Sequence, residues 1–175
     1  MPLTDFLRAT VLLCSGAATA LGVVAIAGAR AGDETAPLYV AVGWWLVAAL
    51  IGLWLGRRAD VTDGIGRLLA SSRATQTLPE LQPGTVVFNR LWMLLFATIL
   101  AGAVAFLIPQ VPAIAAGYCL LVALAWRRQS RAVEAVEQRD GVRFWIEPTS
   151  PFKPTQLIRT PGFRRNEPAP PDVRA

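Results

Sequence analysis

Histidine is absent from these 175 residues, lysine occurs once, at Lys153, and cysteine twice, at Cys14 and Cys119. Without imidazole the chain lacks the commonest metal ligand and the commonest general base, which argues against hydrolytic and redox-metal chemistry. The two cysteines each sit inside an apolar run, too far apart in sequence for a CxxC redox pair and too few for a zinc cluster. They read as small buried side chains, with a lipid-accessible regulatory thiol as the alternative. No glycine-rich phosphate loop occurs, and no aromatic and basic platform for single-stranded nucleic acid. Glu134 and Glu137 come nearest to an acid pair, and a solvated charged face is their ordinary explanation. The sequence therefore predicts no catalytic residue, no metal site and no cofactor.

Charge is scarce as well. Only 17% of the residues are charged and 54% are hydrophobic, the balance of a membrane protein rather than of a soluble core. The net charge is +5, and every cationic side chain but Lys153 is arginine, so a phosphate-pairing fork is at hand wherever the chain meets headgroups. These arginines flank apolar runs instead of forming a basic domain, which argues against nucleic acid as a partner. The arginine and alanine bias suggests a GC-rich bacterial genome, and with it a bacterial inner membrane.

Four apolar runs are long enough to matter, at about 9–29, 38–55, 91–108 and 111–126. A crossing of the roughly 30 Å hydrocarbon core needs about 20 helical residues. Arg8 and Arg30 close the first run; a signal peptide ending at Ala27-Gly28-Ala29 is its alternative reading. The second ends on Arg57 and Arg58, with Trp54 at the level of an aromatic belt. Runs three and four are separated only by a turn around Pro109, Gln110 and Pro112, which predicts an antiparallel pair, or a re-entrant pair as the alternative. The fourth is short, and Trp126, Arg127 and Arg128 extend its reach by snorkelling.

Arginine placement sets the orientation. The 30–37 loop holds Arg30 alone, the 56–90 loop holds Arg57, Arg58, Arg67, Arg73 and Arg90, and the segment after 126 is richer still. Both basic segments belong on the cytoplasmic side, and four spans then put the amino terminus there too. Every Asp, Glu, Arg and Lys falls outside the spans, so no ionisable group at membrane depth is available to couple transport to protons. The hydroxyls of Ser15, Thr19 and Thr98 suit helix-to-helix hydrogen bonds.

Two cytoplasmic segments carry pattern. Val61, Ile65, Leu68 and Leu69 recur at helical spacing opposite Asp63 and Arg67, predicting a short amphipathic helix on the inner leaflet. After the fourth span a helix is expected to continue to Asp140-Gly141. Val142, Phe144 and Ile146 then alternate with Arg143 and Trp145 like a strand, whose only apparent partner in the chain is Thr85–Phe88. An edge left open there predicts completion by another protein, or else a segment packed on headgroups. Pro148, Pro151 and Pro154 keep polyproline II spacing, as a stiff linker or a recognition segment, and disorder is expected over 164–175.

Small residues four apart, Gly16 with Ala20 in span one and Thr98 with Gly102, or Ala97 with Ala101 and Ala105, in span three, mark these two spans as expected packing seams. The windows 43–50 and 117–124 resemble one another, and each is followed by paired arginines, as in a parallel duplication; a composition rich in Ala and Leu produces such similarity unaided.

The reading that results is an all-α membrane protein. Four transmembrane helices form two antiparallel hairpins over residues 1–126, with a short cytoplasmic amphipathic helix and a cytoplasmic tail over 127–163. The expected role is a non-catalytic accessory or scaffold, with a small oligomeric pore as the alternative. Arg57, Arg58, Arg127, Arg128 and Arg131 are the expected lipid contacts, and Phe144, Trp145 and Ile146 the expected contacts to a protein partner. A homo-oligomer is compatible with either role.

Overall fold

The computed structural model describes residues 1–31, 36–57, 61–74, 83–105, 107–108, 110–147 and 156–161. In chain order the elements are α1 (Leu3–Ala31), α2 (Ala36–Leu55), α3 (Asp63–Ala70), β1 (Arg73–Ala74), α4 (Pro83–Val104), α5 (Gln110–Trp126), α6 (Gln129–Asp140), β2 (Val142–Ile146) and β3 (Leu157–Pro161). Four helices are long and apolar enough to cross a membrane: α1, α2, α4, and the run Gln110–Asp140, whose apolar part is α5. Proline marks each start. Pro2 precedes α1, and Pro37, Pro83 and Pro112 fall in the first turns of α2, α4 and α5, where a missing N–H costs no helical hydrogen bond.

Helix α5 is the centre of the bundle, packed most extensively on α1 and α2, with α4 lying more lightly against α1 and α5. Two glycines, Gly52 of α2 and Gly56 just past its end, make the closest approach. A Cβ on Gly52 would lie 2.9 Å from the Leu121 carbonyl oxygen and 2.9 Å from the Leu124 Cβ, and one on Gly56 would strike the Leu124 carbonyl. With the fully buried Ala48, these residues form a small-residue stripe at four-residue spacing on which α5 rides. The expected stripe of Gly16 and Ala20 is no such seam: both are exposed, and a Cβ on Gly16 would meet nothing within 4 Å. Ala101 of α4 is buried with Leu21 and Ala116, so span three does contribute.

Toward the other end of α2, two indoles bind α5. Trp45 Nε1 donates to the Ala113 carbonyl at 2.8 Å and Trp44 Nε1 to the Ile114 carbonyl at 3.2 Å. Trp44 also meets Tyr118 edge-on, with ring centroids 5.3 Å apart. Gly117 makes room, since a Cβ there would collide with the Trp44 ring. In hydrocarbon an unpaired N–H costs several kcal/mol, so these bonds fix how α2 faces α5.

A second core caps one end of the bundle. It gathers Met1, Leu3 and Leu7 from the start of α1, Ile65 from α3, Val86 from α4, Val133 from α6, Val142, Phe144 and Ile146 from β2, and Leu157 from β3. The 29 residues of α1 span roughly 43 Å, about 13 Å more than a hydrocarbon core, and the first turns supply the cap. Helix α6 resumes after a turn at Arg127–Arg128 and stops at Gly141, whose φ of 63° is left-handed and whose N–H bonds to the Glu137 carbonyl.

The all-α expectation needs correction. A three-stranded sheet of order β1-β3-β2 stands in the cap, with β3 antiparallel to β2 and parallel to β1. The strand predicted at 142–146 exists, but its partner is Leu157–Pro161, while Thr85–Phe88 is helical. Its other edge is partly occupied by the start of the chain, through an antiparallel bridge of Pro2 with Trp145 and a 2.9 Å bond from Ile146 N to the Met1 carbonyl. Helix α3 forms as predicted, yet Ile65 is buried and Val61, Leu68 and Leu69 pack on the cap core rather than facing the headgroups. The described residues of α6, β2 and β3 share this core with residues 1–9, 61–69 and 86–87. The prolines at 148, 151 and 154 and the stretch 164–175 lie outside the described residues.

Candidate functional site

A groove of about 630 Å³ opens where the first turns of α1 meet the end of α6 and the sheet. Helix α1 contributes Thr4, Asp5 and Arg8, α6 contributes Glu134, Glu137 and Gln138, and Arg143, Trp145 and Thr160 come from the strands. Arg8 pairs with Glu134 at 3.3 Å across the groove. Both side chains are about half exposed, so the pair is worth under roughly 1 kcal/mol. The floor is held more firmly. Trp145 Nε1 donates to Thr160 Oγ1 at 3.0 Å, and that hydroxyl donates in turn to the Arg143 carbonyl at 3.4 Å, so Thr160 is fully engaged in tying β2 to β3.

Glu137 is the unusual ionisable group of the groove. Its Oε1 accepts the Phe144 N–H at 2.9 Å, closing the turn from α6 into β2. Burial pushes its carboxyl above the ordinary range; the Phe144 N–H and Arg143 pull it back, while Glu134 and Asp5 push it further up. A carboxyl raised by folding favours the folded cap when protonated, so its contribution is fully present below the unfolded-state pKa and is lost as pH rises through the folded-state value. Glu137→Gln keeps an oxygen to accept from Phe144 and removes the titration. The expected result is a melting temperature of the cap that, unlike wild type, does not fall as pH is raised from acid through the carboxylate range; circular dichroism melts across that range check it.

The other sequence-predicted residues separate into two groups. Arg57, Arg127, Arg128 and Arg131 are all exposed, at the junction of the bundle and the cap, and Arg58 lies outside the described residues. Phe144, Trp145 and Ile146 retain only 3%, 8% and 1% of their accessible surface. Phe144 and Ile146 fill the cap core and Trp145 lines the groove, with β3 and the start of the chain paired along the two edges of β2.

Several groove residues were not singled out by sequence. Arg8 was legible only as the boundary of a span, and Thr160 carries no signal at all. Outside the groove, Gln129, 2% exposed, was likewise missed: its Oε1 accepts the Thr62 N–H at 3.2 Å and joins α6 to the start of α3. A lone amide directly after paired arginines hints at such a clamp only in retrospect.

The hydroxyls within the spans turn onto their own helices. Ser15 donates to the Val11 carbonyl, Thr19 to Ser15 and Thr98 to Leu94, each one turn back. Among the described residues no group of three or more His, Cys, Asp or Glu is placed to hold a metal ion. No family model, curated protein or solved structure matches this chain.

Proposed function

We propose that the chain is a four-span protein of a bacterial inner membrane, without catalysis of its own, that presents a folded cytoplasmic head as an accessory or scaffold. In this reading the spans form two antiparallel hairpins, and the capped end, rich in arginine, faces the cytoplasm. Arg57, Arg58, Arg127, Arg128 and Arg131 then lie at headgroup level. The observation that carries the reading is the cap itself. Six separate segments converge to build a small soluble core on the end of a bundle, and its mixed-charge groove offers a polar surface on which a protein partner can be recognised.

Removal of everything after Arg139 is a poor test, since it would strip β2 and β3 from the cap core. A photo-crosslinking residue at Gln138, exposed on the groove rim, is better, with one at Leu12, 72% exposed on α1, as the lipid-facing control. The reading predicts an adduct with one discrete protein from Gln138 and none from Leu12. Adducts with lipid or with the chain itself at both positions would overturn the accessory role.

One observation favours a second reading, an oligomeric pore or facilitator. Ser15, Gly16, Thr19 and Ala20 are exposed along one face of α1. Solute flux into liposomes that is abolished by Gly16→Leu would favour the pore over the scaffold.

A further inference from the structure

The end of α2 and the chain leading from it to α3 meet the last turn of α5 and the start of α6, remote in sequence, at three contacts. Gly56 sits against the Leu124 carbonyl, Arg128 Nη1 donates to the Arg57 carbonyl at 3.3 Å, and Gln129 Oε1 accepts the Thr62 N–H. Arg57, Arg127 and Arg128 are thereby gathered at one junction, with all three side chains exposed. Among the described residues the ion pairs are Arg8–Glu134 and Arg139–Asp140, and neither draws on this group. On the bundle side of the junction stand Trp54, 65% exposed, and Trp126, 37% exposed, one from each helix. Indoles beside guanidinium groups at the end of an apolar span are the arrangement that takes the glycerol and phosphate level of a lipid.

We propose that this junction is a discrete site for one anionic phospholipid, its phosphodiester held by Arg57, Arg127 and Arg128 across the two segments and its glycerol flanked by Trp54 and Trp126. The proposal rests on the four-span reading and adds a defined ligand to it. Each guanidinium offers five N–H donors, and Arg128 commits one nitrogen to the Arg57 carbonyl, so donors remain for a phosphate after the helices are joined. A lipid bound there would brace α2 against the α5–α6 turn at the point where the cap begins.

The test uses the intact chain in bilayers of mixed phosphatidylglycerol and phosphatidylcholine, with retained lipids counted by native mass spectrometry after gentle extraction. The expected result is one phosphatidylglycerol per chain in preference to phosphatidylcholine, reduced about tenfold by Arg57→Gln with Arg127→Gln, and unchanged by Arg67→Gln, an exposed arginine of α3. Equal retention in the wild type and the double variant, or an equal loss with Arg67→Gln, would overturn the site. A second measurement needs no variant: the melting temperature of the wild-type chain should rise with the phosphatidylglycerol fraction of mixed micelles. No rise, or the same rise with inorganic phosphate alone, would overturn it too. Failure of the four-span reading is distinct, because the chain would then leave membranes on an alkaline carbonate wash.

Discussion

Gly52→Ala combined with Gly56→Ala is expected to pry α2 from α5 and to lower the stability of the bundle by about 1–3 kcal/mol for each overpacked site. Both new methyl groups would be driven against backbone, the Leu121 carbonyl in one case and the Leu124 carbonyl in the other, and backbone in a packed helix has little room to give. The indole bonds from Trp44 and Trp45 to α5 would be strained with them, since all four contacts set one interhelical distance. Gly43→Ala is the matched control. It adds the same methyl on the same helix, where nothing lies within 4 Å, and should leave the melting temperature unchanged. Fluorescence-detected size exclusion after heating in detergent measures both. Equal melting of the double variant and the control would mean that α2 does not pack through this stripe.

Phe144→Ala is expected to cost about 3–5 kcal/mol and to unfold the cap while sparing the bundle. The ring is 3% exposed and lies in a core assembled from six segments, so its loss leaves a cavity that no single element can close. Arg143→Ala, one residue away on the exposed face of the same strand, should change stability by no more than about 0.5 kcal/mol. Limited proteolysis separates the outcomes: rapid cleavage around β2 and α6 in the Phe144 variant, with resistance in the Arg143 variant. A Phe144 variant as resistant as wild type, yet unable to hold a protein partner, would restore the surface role that the sequence suggested for this side chain.

The four long apolar helices were legible because a long apolar run with charges at its ends is a local pattern. The stop at Gly141 and the strand Val142–Ile146 were legible for similar reasons, each announced by neighbouring residues, whereas the turn at Arg127–Arg128 interrupts a helix that the sequence, with no breaker there, led one to expect as continuous. What the sequence hid is tertiary. The apolar face of α3 has the same spacing whether it meets lipid or protein, so Ile65 gave no sign that a cap core awaited it. Strand β3 holds only Leu157 and Ile158 as apolar residues, ends at a proline, and pairs across a proline-rich stretch, so alternation could not reveal it. The Gly16–Ala20 stripe was misplaced within a helix that does pack on α5, because nearly every span contains small residues four apart. Only the approach of Leu121 and Leu124 distinguishes Gly52 and Gly56 from Gly16 and Ala20. Among the groove residues the arginines and glutamates were visible as charges. Which of them would share a concavity depended on α1 being longer than its apolar run.

Four spans with the cap in the cytoplasm are a topology that labelling of single cysteines with a membrane-impermeant maleimide reads out. Cys14 and Cys119 are replaced by alanine, and one cysteine is introduced at Gln138 on the cap or at Leu107, 82% exposed beyond α4 at the other end of the bundle. The account predicts that in intact spheroplasts the Leu107 position is labelled and the Gln138 position is not, and that Gln138 reacts once the membrane is opened. Labelling of Gln138 in intact spheroplasts with protection of Leu107 would invert the topology, and labelling of both would contradict a membrane-spanning bundle.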